Sequence, residues 1–341
     1  MLDIRAHSNT QDRPAGPREG LAPLVAFHDH AGEEESFLDA VLEGLSRPHK
    51  SIPCRYLYDE RGSALFDLIC ELDEYYPTRT EIRILRSHAG DIARRIGPDA
   101  QLIELGSGSS IKVRILLDAM TRPAAYVPVD ISREHLRRAA EALALDYPAI
   151  DVAAVCADYS APFPLPELPA AGRRMAFFPG STIGNLEPDE ALSFLKSWAR
   201  RLGPGAAMLV GVDLKKDTQT LNAAYDDAKG VTAAFSLNLL QRANSELGAD
   251  FDLSRFAHRA SYSAERGRVE IHIASLEDQR VRIAGQDFHF AAGEPIQTEH
   301  SYKYAIEEFQ ALAGRAGFEP TAVFLDGARL FSVHYLTTPT G

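Results

Sequence analysis

Gln101–Leu117, QLIELGSGSSIKVRILL, is the stretch whose reading decides the fold. A short apolar run carrying Glu104 meets Gly106-Ser107-Gly108 and passes through two serines into an amphipathic segment. This is the order of a first β-strand, a glycine turn and a helix start, the joint at which α/β proteins hold an adenosine-bearing ligand. Glycine suits the turn because the backbone bends sharply there and a Cβ would block close approach. The full GxGxxG spacing is absent, since Ile111 stands where the third glycine would be. The ligand class therefore has to come from the rest of the chain.

Upstream, residues 1–25 are rich in Pro, Gly and charge and are expected to form a disordered lead-in. Helical spacing of Phe37, Leu38, Val41, Leu42 and Leu45 predicts a helix over 33–45. A tyrosine-bearing loop (46–62) and a helix over 63–72 follow. EYYPTR (74–79) breaks that helix, and Pro77 and Thr78 open another to Ile96.

Downstream, strands at 125–129, 152–156, 174–178 and 206–212 alternate with helices, one that Ser132 is expected to cap and one that starts at Pro188. Near-continuous apolar strands in this alternation predict a parallel sheet covered on both faces. At Lys215 the alternation stops. Helix over 216–247, an antiparallel meander (268–274, 279–283, 287–290) and a strand at 299–304 make an insertion of about 85 residues, too long for a loop. A helix over 304–316 and a hairpin of 322–325 with 330–336 close the chain. The expected architecture is α/β. A Rossmann-like sheet domain (79–215 and 304–338) is closed by an antiparallel hairpin, and a second, α+β lid domain comprises 26–78 and 216–303.

A formal charge of −12 with scattered Arg and Lys argues against a nucleic-acid partner. Cys54, Cys70 and Cys156 show no CxxC or His pairing, which reads as free thiols in a reducing cytoplasm and no metal site. No apolar run approaches a membrane span, and the first thirty residues lack a signal-peptide core. A cytoplasmic, monomeric protein without a membrane partner is expected.

In an open α/β sheet ligands lie at the carboxyl ends of the strands. Four polar signals fall there: Gly106–Gly108 after the first strand, Asp130 after the second, Asp158 after the third and Asn185 after the fourth. An aspartate at such a position is often only a turn residue; four in the right order favour a ligand site. Asp130 suits a ribose diol and Asp158 an adenine amino group. NAD and S-adenosylmethionine both fit this outline. A pyrophosphate needs the third glycine and tolerates Glu104, Asp130 and Asp158 poorly, whereas a sulfonium cation suits an acidic rim. The methyl donor is favoured, with Lys112 placed to reach its carboxylate.

YDERGSALFD (58–67), EYYPTRTE (74–81), ELGSGSSIK (104–112), FPGSTIGN (178–185), LVGVDLKKD (209–217) and TEHSYKY (298–304) together resemble the L-histidine Nα-methyltransferases of ergothioneine biosynthesis. The resemblance runs from about Ser51 to Leu336 and implies a class I methyltransferase sheet. It also implies S-adenosylmethionine-dependent trimethylation of the histidine α-amino group to hercynine. By this similarity Gly106, Lys112, Asp130, Asp158 and Tyr159 contact the cofactor. Tyr75, Asn185 and Tyr225 hold the amino and carboxylate groups, Tyr58 and Asn185 serve the reacting amine, and Glu299 and Ser301 grip the imidazole. His300 and Tyr302 inherit no role. The rivals are the same fold acting on a tryptophan derivative or tyrosine, an NAD-dependent oxidoreductase, and a nucleoside-binding protein without turnover.

Overall fold

The computed structural model describes residues 25–30, 36–108, 110–168 and 172–340. The described residues begin with Val25–Asp29 (β1), then Phe37–Ser46 (α1), a 3-10 turn at Cys54–Leu57, Glu60–Cys70 (α2) and Tyr76–Ile96 (α3). The alternating part runs Gln101–Leu105 (β2), Ile111–Ala119 (α4), Ala125–Asp130 (β3), Arg133–Asp146 (α5), Asp151–Cys156 (β4) and Arg174–Phe178 (β5). A 3-10 turn at Thr182–Asn185, Pro188–Leu202 (α6) and Ala207–Asp213 (β6) complete it. Next come Thr218–Tyr225 (α7), Val231–Leu247 (α8), Phe256–Ser263 (β7), Arg268–Ser275 (β8), Gln279–Ile283 (β9), Gln286–Phe290 (β10) and Pro295–Tyr302 (β11). Ile306–Arg315 (α9), Glu319–Leu325 (β12) and Phe331–Thr337 (β13) end the chain.

Among the described residues, eight strands form the main sheet in the order β1-β4-β3-β2-β5-β6-β13-β12. Neighbours from β1 to β6 are parallel, and β13 runs antiparallel to both β6 and β12. Strands β2 and β6 are buried along their whole length, as apolar strands covered on both faces must be. One apolar layer packs α3, α4 and α5 on one face, and another packs α6 and α9 on the other. The strand order reverses between β2 and β5, so the crevice for a ligand opens at the carboxyl ends of those two strands.

A separate apolar cluster joins α1, α2, α7 and α8 to a three-stranded sheet, β11-β8-β7, and to the β9–β10 hairpin. Backbone bridges Leu214↔Tyr304 and Ser51↔Gln297 tie β11 and its continuation to the rest. Among the described residues no helix is long and apolar enough to cross a membrane.

Three expectations change. Residues 1–24 lie outside the described part, but Val25–Asp29 is neither lead-in nor lid. It pairs in parallel with β4, from Val25↔Val152 to Asp29↔Cys156, and so belongs to the main sheet. Five residues beside a Pro- and Gly-rich stretch gave no hint of a partner so far along the chain. The expected meander is two structures, because β8 pairs with β7 and β11 while β9 and β10 pair with each other. Strand β7 escaped notice because its outer residues mix Arg, Ser and Tyr with little alternation. Ser132 holds the N-cap position of α5 without a side-chain cap; its N–H instead donates to Asp130 Oδ1 at 2.8 Å.

Candidate active site

The glycine turn follows β2 at the point where the strand order reverses. Gly106 has φ +75°, a left-handed conformation that glycine adopts without strain. A Cβ built there meets only Tyr159 Cε1, at 3.7 Å, among described atoms, so the strand end faces open space beside an aromatic ring. Next to it the buried Ser107 Oγ has no hydrogen-bond partner among the described residues. A buried hydroxyl left unpaired costs free energy unless a ligand or water satisfies it.

Asp130 ends β3, and Asp158 lies two residues beyond β4. Each is set by a local turn: Asp130 Oδ1 accepts the Ser132 N–H, and Asp158 Oδ1 accepts from Ser160 N at 2.8 Å and Oγ at 2.6 Å. Tyr159 is held by its carbonyl, which accepts from Trp198 Nε1 at 3.2 Å, and by edge contact with Phe178 at 5.6 Å. Gly106, Asp130, Asp158 and Tyr159 therefore line one edge.

Lys112 stands apart from them. Its Nζ lies 2.6 Å from Glu81 Oε2, a carboxylate on α3 with a side chain 0% exposed. Glu81 also accepts the Gly180 N–H at 2.9 and 3.1 Å. It fits only because β6 carries Gly211, where a Cβ would sit 2.1 Å from Glu81 Oε1. Lys112 thus has a buried counter-ion that the sequence reading did not foresee.

On the other side of the switch point, β5 leads through Pro179 and Gly180 to the turn bearing Asn185. This turn presses against β11: a Cβ on Gly184 would come within 2.6 Å of the Tyr302 carbonyl oxygen. That close approach brings Asn185 Nδ2 to 2.9 Å from Glu299 Oε1. Burial pushes the Glu299 carboxyl up to about 7, although Lys303 and the Asn185 hydrogen bond act to lower it. Two residues along β11, Ser301 Oγ lies 2.9 Å from the Tyr225 hydroxyl at the end of α7.

Tyr225 is anchored from behind, since its carbonyl contacts His258 Nε2 at 2.8 Å and His258 Nδ1 contacts Ser236 Oγ at 2.8 Å. Its ring meets Tyr75 edge-on at 6.0 Å, Tyr75 meets Phe66 at 6.1 Å, and Phe66 meets Tyr58 at 5.5 Å. Burial raises the pKa of the Tyr58, Tyr75 and Tyr225 hydroxyls, so all three are neutral near neutral pH. Tyr58, Tyr75, Asn185, Tyr225, Glu299 and Ser301, scattered through the sequence, thus form one continuous cluster.

A charged network behind this cluster was missed. Asp213, at the end of β6, pairs with Lys303 at 2.8 Å and Lys216 at 2.7 Å and accepts the Tyr76 hydroxyl at 2.8 and 2.9 Å. Burial alone would raise the Asp213 carboxyl, but the two ammoniums outweigh it and hold it below the usual carboxylate range. The blocks LVGVDLKKD and TEHSYKY contain these residues, yet nothing in either indicates that Lys303 is buried. His300 and Tyr302 point elsewhere. Both contact Glu187, the N-cap of α6, His300 Nδ1 at 2.8 Å and the Tyr302 hydroxyl as a donor, while Arg268 adds an ion pair at 2.7 Å. Among the described residues no cluster of His, Cys, Asp or Glu is arranged to hold a metal.

Residues 37–338 match the model of a family described as histidine-specific methyltransferase, SAM-dependent. A histidine N-alpha-methyltransferase from Mycolicibacterium smegmatis is 44% identical over 298 residues, covering 86% of this chain and 92% of that one. A second, from Mycobacterium tuberculosis, is 39% identical over 317 residues, covering 91% and 98%. An ergothioneine biosynthesis protein 1 from Neurospora crassa is 34% identical over 295 residues, covering 84% of this chain and 33% of that protein. With the mixed sheet and glycine turn described above, the chain has the α/β fold of S-adenosylmethionine-dependent methyltransferases and uses that methyl donor. It belongs to the histidine-specific, S-adenosylmethionine-dependent methyltransferase family.

Proposed function

We propose that the protein methylates the α-amino nitrogen of L-histidine three times, giving hercynine, the first step of ergothioneine biosynthesis. The observation that carries this reading is the pairing of Asn185 with Glu299 and of Tyr225 with Ser301 at the mouth of the β2–β5 crevice. Glu299 as acceptor and Ser301, two residues along β11 and paired with the Tyr225 hydroxyl, complement the two nitrogens of an imidazole, and Asn185 and the tyrosines complement an amino acid's polar end.

The residues present fit the methyl donor. The acidic edge of Asp130 and Asp158 suits its ribose and adenine groups, Tyr159 and the open Gly106 backbone suit its approach, and the orphan Ser107 hydroxyl requires a polar partner. Lys112 would serve the donor's carboxylate, with Glu81 setting its position. When bound, the donor supplies an electrophilic methyl group on a sulfonium.

This chain's own residues then orient the amine. The nucleophile has to be a neutral amine with its lone pair aimed at the methyl carbon, and correct placement is the main rate contribution. Neutral tyrosine hydroxyls and an amide orient an amine without fixing it as an ammonium ion pair. With Nδ2 engaged by Glu299, Asn185 offers its carbonyl oxygen to the amine N–H. As methyls accumulate, hydrogen-bond donors are lost and positive charge becomes permanent; the Tyr58–Phe66–Tyr75–Tyr225 faces tolerate such a cation.

In the same reading, residues 36–78 and 216–303 act as a lid over histidine, the closing hairpin 319–337 completes the methyltransferase sheet, and the protein works as a cytoplasmic monomer. The test incubates purified protein with S-adenosylmethionine and each of the common amino acids, followed by mass spectrometry. Histidine gaining three methyl groups is expected. Methylation of another amino acid with histidine untouched would overturn the reading.

A further inference from the structure

One buried cation stands directly behind the hydroxyl pair that is read above as facing the imidazole. The Lys303 side chain is 0% exposed, and its Nζ reaches Asp213 Oδ2 at 2.8 Å, Tyr225 Oη at 2.6 Å and Ser301 Oγ at 2.7 Å. An ammonium has three hydrogens and no lone pair, so these three partners use its whole capacity. Burial works against the charge, but Asp213 and Tyr225 outweigh it and hold the Lys303 pKa above the usual lysine value. Asp213 is in turn held by Lys216, by the Tyr76 hydroxyl and by its own N–H, which donates to Ser181 Oγ at 2.9 Å.

The hydrogens of the two hydroxyls can be counted. Tyr225 and Ser301 each accept one charge-assisted bond from Lys303, and each has one hydrogen to give. Their mutual contact at 2.9 Å uses one of the two hydrogens. The other is turned away from the ammonium, because the side facing Lys303 already carries a donor. We propose that Lys303 is a positioning residue for side-chain selection: by donating to both hydroxyls it directs the pair's one unshared O–H toward the substrate. The pocket then offers that donor and the acceptor Glu299 to opposite nitrogens of the ring. A neutral imidazole, with one N–H and one bare nitrogen, matches both. A ring nitrogen carrying a second proton would meet a hydroxyl backed by a cation, and a ring lacking the bare nitrogen would leave a desolvated O–H unpaired. This inference rests on the histidine reading and extends it to a residue that need not touch the substrate.

The experiment replaces Lys303 with methionine, similar in length but without charge or donors. Lys303→Met is expected to raise KM for histidine about tenfold or more, the worth of a buried charge-assisted hydrogen bond, with kcat and the dissociation constant for S-adenosylmethionine nearly unchanged. On a Tyr225→Phe/Ser301→Ala background the same replacement is expected to add less than about twofold, since coupled residues are not additive. An equal penalty on both backgrounds, or a parallel loss of cofactor affinity, would mean that Lys303 only supports the fold and would overturn the inference. Should the single variant fail to fold, Lys303→Met/Asp213→Asn removes the orphaned carboxylate as well. A folded double variant with wild-type histidine KM would equally overturn it. Wild-type protein inert toward histidine would instead overturn the substrate reading, which separates the two failures.

Discussion

The two ends of the crevice are built differently. At the proposed cofactor edge the two aspartates and the glycine turn are set locally: Asp130 by Ser132, Asp158 by Ser160, Gly106 by its own conformation. At the proposed imidazole end the pairs that bring the site residues together join distant positions, although Lys303 also reaches Ser301 two residues away. Asn185 and Glu299 are 114 positions apart, Tyr225 and Ser301 76, and Tyr76 and Asp213 137. A local turn survives most changes elsewhere, whereas a long-range network depends on several elements being docked at once. Binding the methyl donor and selecting the substrate should therefore respond separately to mutation.

The largest effect is expected at the hub of the long-range end. Asp213→Ala leaves the Lys303 and Lys216 ammoniums buried without their carboxylate, a change that typically costs about 3–5 kcal/mol. Denaturant unfolding measures it, and a loss below about 1 kcal/mol would show that the network is not the tie between β6 and β11. Next in size, Glu299→Ala removes the carboxylate proposed to face the ring. Histidine binding should weaken by about ten- to a hundredfold, from a charge-assisted hydrogen bond worth roughly 1.5–3 kcal/mol, with cofactor affinity unchanged by calorimetry. A matching fall in cofactor affinity would erase the contrast between the two ends.

A third test belongs to the cofactor edge. Burial pushes Glu104 up from 4.5 to about 7, although the Tyr126 hydroxyl donates to it and Lys112 acts to lower it. Between those two values the native chain retains a proton that the unfolded chain has released, so the native state binds more protons. Stability then falls as pH rises from about 4.5 to about 7, and levels off above. Glu104→Gln has no proton to lose and should flatten this slope in urea titrations across that window; an unchanged slope would discount the burial effect at Glu104. The smallest change is expected at His300, beside the imidazole pair in sequence but paired with the partly exposed Glu187. His300→Gln should cost under about 1 kcal/mol and leave histidine KM alone. A large rise in KM would move His300 into the pocket.

The same contrast explains what could be read from sequence. Strand ends, the glycine turn and the order Gly106, Asp130, Asp158, Asn185 were legible because the signals are contiguous and periodic. Tyr75, Tyr225, Glu299 and Ser301 came from resemblance alone, since an isolated tyrosine in a helix and alternating polar residues on a strand are ordinary surface features. Lys303, Asp213 and Glu81 could not be read as buried, because charged residues are normally exposed and their partners sit on other elements. β1 was lost for a similar reason: its partner β4 is well over a hundred residues away, and parallel pairing leaves no turn signal.

The position of β13 has a consequence for synthesis. It pairs with β6 from Phe331↔Asp213 to Thr337↔Ala207, and residues 214–330 intervene. A nascent chain must therefore carry the outer edge of β6, with Met208, Leu209, Val210 and Val212 on it, unpaired until residues 331–337 emerge. Unpaired apolar strand edges are sites of wrong pairing between chains. Loss of residues 331–337 would remove an inner strand and leave that edge open for good.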